Sequence, residues 1–191
     1  MKILNAIHAQ TIGGVDQMFC NYAAALAQGG HEVALLISDN GNDSYKIPNV
    51  KKIFKLKNAS QVLDCLKLLA ILLVYRPDVI ICHSNRLMKW MKILGYFSSV
   101  KSIAVNHGIS FKNSLNCDYI ININQHISDM VIAAGFDAHK SFVVSNVIQI
   151  DEEYRKKQIE KTLVIGMYGR IEPRKGFDIF LQAGAILREK N

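Results

Sequence analysis

Short apolar runs alternate along the chain with longer segments whose apolar residues recur every three or four positions. Lys2 to His8 reads as a buried first strand, followed by a loop from Ala9 to Gly14. Val15, Met18, Phe19, Tyr22, Ala23 and Leu26 then mark an amphipathic helix that stops at Gly29 and Gly30. Glu32 to Ile37 predicts a second strand, Asp39 to Gly41 a turn, and Val50 to Leu56 a third strand. A long helix is expected from about Ser60 to Tyr75. Arg76 and Pro77 close it, because the residue before a proline is pushed out of helical geometry. Beyond lie a strand at 78–82, a helix at 85–97, strands at 102–106 and 119–123, a helix at 128–134 and an extended run at 142–147.

Short apolar strands alternating with helices imply βαβ units, hence an α/β fold with a doubly wound parallel sheet of Rossmann-like type. Its crossovers should be right-handed, and its ligands should bind at the carboxyl ends of the strands. Gly13 and Gly14, His83 and His107 all follow strand ends. The first domain is expected over residues 1–150. The charged stretch 151–161 reads as a linker. A fresh strand is expected from Thr162 to Tyr168, a turn from Gly169 to Gly176, and a helix from Phe177 to about Arg188. One strand and one helix cannot bury a core, so a second domain is expected to be truncated at Asn191.

Composition narrows the setting. Half of the 191 residues are hydrophobic and 20% are charged, which is globular rather than disordered composition. The formal charge of +7 points to anionic partners: phosphorylated substrates, a membrane surface or nucleic acid. Cys20, Cys65, Cys82 and Cys117 form no CxxC pair, so zinc and redox motifs are unsupported and a reducing cytoplasm fits best. Asn5 and His8 interrupt the first apolar run, which argues against a secretory signal. Leu68 to Val74 is far shorter than the ~20 residues that cross a bilayer.

Gly13 and Gly14 stand just before a helix N-terminus, where backbone N–H groups can hold an anion and glycine permits close approach. The pair is not a GxGxxG fingerprint, which argues against a nicotinamide cofactor and an oxidoreductase; turn chemistry alone also accounts for it. Arg170 follows a strand and Lys175 precedes the last helix, a placement that suits a diphosphate; a solvated basic turn, with Arg174 beside them, is the alternative. His107 can donate to a sugar hydroxyl or titrate, or simply bond to its own loop; His83 carries the same alternatives. The segment 85–97 interleaves Arg86, Lys89 and Lys92 with Leu87, Met88, Trp90 and Met91. Such a helix either rests on an anionic membrane or packs its apolar face on the sheet.

Taken in order, Gly13-Gly14-Val15, Gly30-His31-Glu32-Val33, Val105-Asn106-His107, Ser145-Asn146 and the run from Gly169-Arg170 through Lys175-Gly176-Phe177-Asp178 resemble glycosyltransferase family 4. That family has the two-domain GT-B architecture, and the resemblance covers essentially the whole chain. It implies retaining transfer of a sugar from a nucleotide-diphosphate sugar without a metal ion or other cofactor. Arg170 and Lys175 would bind the donor diphosphate and stabilise the leaving group. His107 would contact the transferred sugar, and Gly13 and Gly14 would admit donor and acceptor to the cleft. The implied partners are the nucleotide sugar, a cell-envelope glycan or lipid-linked acceptor such as lipopolysaccharide, and a peripheral membrane contact through the 85–97 helix, with no nucleic acid. The implied location is the cytoplasm, at the inner face of the membrane. The family's second-domain glutamate pair would lie beyond Asn191, and Ser145-Asn-Val-Ile stands where relatives show Asn-Gly. The chain alone is therefore expected to be inactive. The rival expectations are a non-catalytic glycan- or membrane-binding module, or one half of a split enzyme.

Overall fold

The computed structural model describes residues 1–8, 13–39, 47–48, 50, 52–56, 61–146, 164–169 and 171–189. The chain divides into two compact units, Met1–Ile150 and Asp151–Asn191.

The first unit holds a seven-stranded sheet in the order β3-β2-β1-β4-β5-β6-β7. Its strands are β1 (Lys2–Ala6), β2 (Glu32–Ser38), β3 (Lys52–Leu56), β4 (Val79–Cys82), β5 (Lys101–Asn106), β6 (Tyr119–Asn122) and β7 (Ser141–Val143). Every neighbouring pair is parallel. The helices are α1 (Gly14–Gln28), α2 (Gln61–Tyr75), α3 (Asn85–Leu94) and α4 (Gln125–Ala133). This is the doubly wound α/β fold expected from the alternation of apolar runs. Because both faces of the central strands are covered, they are apolar almost throughout.

The period of two along the strands sorts the core into faces. Leu4, Ala6, Ile80 and Cys82 point to the side packed by α2, α3 and α4. Ile7, Val33, Leu35 and Ile37 meet Phe19 and Ala23 of α1 on the other. Leu35 and Leu36 are both wholly buried although adjacent, so each contributes about 1.5–3 kcal/mol of burial on opposite faces. The strand order reverses between β1 and β4, which leaves a crevice beyond their carboxyl ends.

Several boundaries differ from the sequence reading for local reasons. Helix α4 starts three residues earlier, because Asn124 Oδ1 accepts a 2.9 Å hydrogen bond from the Ile127 N–H and caps it. Helix α3 ends at Leu94, with Gly95 as its cap. The expected strand at 162–168 is not found: 162–163 lie outside the described residues, and 164–168 join no sheet. A strand needs a neighbour to receive its backbone hydrogen bonds. The second unit instead shows a short 3₁₀ turn, Pro173–Lys175, and helix α5 (Phe177–Glu189), none of whose residues is buried. Among the described residues no helix is long and apolar enough to cross a membrane.

The amphipathic face of α3 is core. Leu87, Met88, Trp90, Met91 and Leu94 are all buried against the sheet, so the apolar side expected to suit a membrane is already covered. What remains outside is Asn85, Arg86, Lys89, Lys92, Ile93, Gly95, Tyr96 and Phe97, the last two 79% and 62% exposed.

Candidate functional site

At the carboxyl ends of β4 and β5 lies a cavity of about 240 Å³. Its wall includes Val15 at the start of α1, His83 and Ser84 after β4, Met88 of α3, and Asn106 and His107 at the end of β5. Among its described lining residues none is Lys, Arg, Asp or Glu. This is the crevice position that a doubly wound sheet reserves for ligands.

His107 does not bond to its own loop. Its Nε2 lies 3.0 Å from His83 Nδ1, with the two rings inclined by only 23°. His83 Nε2 in turn lies 2.9 Å from Asn5 Oδ1, and Asn5 Nδ2 donates a 2.8 Å bond to the Phe19 carbonyl. Asn5 is fully buried within β1, and the His83 ring also stands edge-on to Phe19 and Tyr22. Burial, and then the neighbouring His107, push His83 down to about 3, so it is neutral at physiological pH. Burial also holds His107 below its ordinary value.

A second polar chain crosses the same end of the sheet. Asn106 Nδ2 donates to Asn122 Oδ1 at 2.9 Å, and Asn122 Nδ2 donates to Ser141 Oγ at 3.0 Å. Asn106 Oδ1 is buried and has no partner among the described residues. A buried acceptor in that state is costly until a ligand or water donates to it.

Gly13 and Gly14 begin α1 beside this cavity. The Gly13 N–H is held by Asp16 Oδ2 at 3.1 Å. Gly13 is extended, with φ −175°, a conformation open to any residue. A Cβ on either glycine would meet no atom of the described residues within 4 Å. The fold therefore does not demand glycine here, which weakens the reading of the pair as turn chemistry alone.

His8, buried at the end of β1, sits 3.6 Å from Asp64 Oδ2 and 3.4 Å from Arg86 Nη1. Its backbone N–H donates to Ser84 Oγ at 3.1 Å, tying the end of β1 to the start of α3. Burial lowers the His8 pKa and Arg86 adds to this, against its backbone bond and Asp64.

In the second unit the turn before α5 is built by Pro173 in the 3₁₀ segment and Gly176, whose φ of 69° is a left-handed value that favours glycine. Lys175 is exposed immediately before this glycine. Arg170 lies outside the described residues. Of the predicted residues, the first unit brings His107 against His83, and Val15, the residue after Gly13 and Gly14, lines the same cavity. Asn5, Ser84 and Asn106 were not anticipated; the one signal for Asn5 was a polar residue inside an otherwise apolar strand.

Residues 12–152 match the description of Glycosyltransferase Family 4. The chain belongs to that family. No curated protein is significantly similar to it in sequence. Among solved structures, HepE from Anabaena in complex with UDP is similar at 17% identity and a TM-score of 0.60, over 78% of this chain and 44% of that one. The apo form of the lipopolysaccharide outer core galactosyltransferase WaaB is similar at 17% identity and a TM-score of 0.64, over 80% and 47%. MurG from Acinetobacter baumannii is similar at 13% identity and a TM-score of 0.59, over 78% and 47%. These likenesses establish the fold, the N-terminal domain of GT-B architecture. The chain spans less than half the length of each of these three structures.

Proposed function

We propose that the first unit is the acceptor-side half of a retaining glycosyltransferase that uses a nucleotide-diphosphate sugar. The observation that carries this reading is the cavity at the carboxyl ends of the central strands, which among its described lining residues offers hydrogen-bonding side chains and no charged one. Such a wall suits a sugar ring with several hydroxyls and gives no cation to a phosphate. His107 contacts the transferred sugar. Gly13 and Gly14 leave room for donor and acceptor. Lys175 and Arg170 hold the diphosphate and stabilise its charge on departure, which assigns the cationic role to side chains rather than to a metal ion.

A cell-envelope glycan or lipopolysaccharide precursor is the proposed acceptor. The net charge of +7 supports an anionic target. We place the peripheral membrane contact at the exposed end of the 85–97 segment, where Lys89 and Lys92 accompany Ile93, Tyr96 and Phe97. Four free cysteines support a cytoplasmic setting.

The proposed behaviour of this chain by itself is sugar binding without transfer; among the described residues no side chain of α5 is buried. The exposed Leu181, Ile186 and Leu187 favour one further reading, half of a split enzyme that docks a second polypeptide.

The test is titration of the chain with UDP-, ADP- and GDP-sugars, following histidine NMR signals, alongside a radiolabelled transfer assay with envelope extract. A His107 shift with one sugar nucleotide and no transfer is the expected result. No response to any of them would sink the sugar reading. Transfer by the chain alone, abolished by Lys175→Ala, would overturn its inactivity.

A further inference from the structure

The hydrogen-bond chain behind His107 has a direction, and the direction decides what His107 can recognise. The Phe19 carbonyl only accepts, so the amide nitrogen of Asn5 must be the group facing it at 2.8 Å. Asn5 therefore turns its Oδ1, an acceptor, toward His83 Nε2 at 2.9 Å. That nitrogen must carry the proton of the neutral His83 ring. His83 Nδ1 is then a bare lone pair, and the hydrogen shared with His107 Nε2 across 3.0 Å belongs to His107. His107 Nδ1 is left without a hydrogen and bonds to no described residue.

We propose that Asn5 and His83 are positioning residues that lock His107, which lines the cavity, in the tautomer whose other ring nitrogen, Nδ1, accepts a hydrogen bond. The group His107 recognises is consequently a donor: a hydroxyl, not a carbonyl, phosphate or carboxylate oxygen. This rests on the sugar-binding reading above and reverses the polarity expected from the sequence, in which His107 donates.

The arrangement is not a demand of the fold. Asn5 occupies a wholly buried position in a strand beside Ile3, Leu4 and Ala6, where an apolar residue would pack without needing partners. The polar side chain is satisfied only because Phe19 and His83 meet both of its ends.

The experiment is NMR on the chain labelled with ¹⁵N-histidine, at neutral pH, with His107 assigned from the spectrum of His107→Gln. A coupling across the N–H···N bond shows which ring holds the shared proton. The expected result is a proton on His107 Nε2 and a pyridine-type Nδ1 on the same ring. A proton on His83 Nδ1 would overturn the proposal. In Asn5→Leu the constraint is lifted, and the shared proton should spread over both rings; a folded Asn5→Leu protein with the proton still wholly on His107 would remove Asn5 from the relay. Should Asn5→Leu fail to fold, His83→Phe serves: the slowly exchanging His107 Nε2–H signal should vanish, and its persistence would count against His83. UDP-glucose is then added as the probe. A fixed tautomer with no response to it leaves the relay standing and defeats the sugar reading, so the two failures are distinguishable.

Discussion

His83 Nδ1 and His107 Nε2 lie 3.0 Å apart at the carboxyl edge of the sheet, and the pair can share one proton but not hold an extra one cheaply. His83 stays neutral down to about 3 because it is buried and faces His107. In the unfolded chain the same residue takes up a proton near its ordinary value of 6.5. Between these values the unfolded state binds more protons, so stability falls as pH falls below about 6.5. One such group contributes a slope of about 1.4 kcal/mol per pH unit. His8 and His107, also lowered by burial, act in the same sense. Urea midpoints measured between pH 7 and 5 should show this slope, and a folded His83→Gln protein should lose about one group's share of it.

The same burial sets the pH range for ligand recognition. His107 is held below its ordinary value of 6.5, so its acceptor nitrogen is available throughout the neutral range. Sugar affinity should be flat from pH 7 to 8 and fall once His107 protonates, at a pH below 6.5. Calorimetric titration across pH 5 to 8 checks it, and rising affinity on acidification would contradict an accepting His107.

Gly14→Ala separates fold from function at the glycine pair. A Cβ there meets no atom of the described residues within 4 Å, and Gly14 is the first residue of α1. Alanine should therefore raise stability by about 0.4–1 kcal/mol through the unfolded state. Affinity for the sugar nucleotide should fall if the bare backbone is there for a ligand. Thermal melts and binding isotherms on the one variant give both answers.

Trp90 and Phe97 distinguish core from surface on the 85–97 segment. Trp90→Ala should cost about 3–5 kcal/mol, because the side chain is buried against the sheet. The double variant Tyr96→Ser, Phe97→Ser should leave the melting temperature within a few degrees of the parent. It should reduce co-sedimentation with vesicles rich in phosphatidylglycerol. Equal vesicle binding by parent and double variant would remove the membrane contact from this place.

Lys175→Ala tests the second unit. The side chain is exposed beside a turn held by backbone bonds from Lys175 N to Glu172 O and from Gly176 N to Pro173 O, so folding should be unaffected. Loss of one charge-assisted bond to a diphosphate is worth about 1.5–3 kcal/mol, or roughly ten- to a hundred-fold in UDP affinity. Unchanged affinity would return the turn to a solvated basic surface.

The order of strands and helices was legible along the chain because each apolar run carries its own period, and Gly29-Gly30 and Pro77 punctuate it locally. The family was legible too, through short glycine and histidine segments whose spacing does not depend on knowing the fold. The role of α3's apolar face was not, since amphipathicity is the same whether the face meets a sheet or a lipid. Only the packing of Trp90 and Met91 against the core separates those cases. A strand at 164–168 was equally undecidable, because pairing is a property of two segments and not of one.

The sequence by itself therefore determined the α/β alternation, the family and the position of His107 at a strand end, all of which are written in local order. The tertiary structure alone decided that Asn5, His83 and His107, 78 and 24 positions apart along the chain, stand in one hydrogen-bonded row. Their polarity follows from the Phe19 carbonyl, a backbone group that no residue letter records. Hydrogen-bond direction is set by what lies at the far end of a chain of contacts, and only folding brings that end into reach.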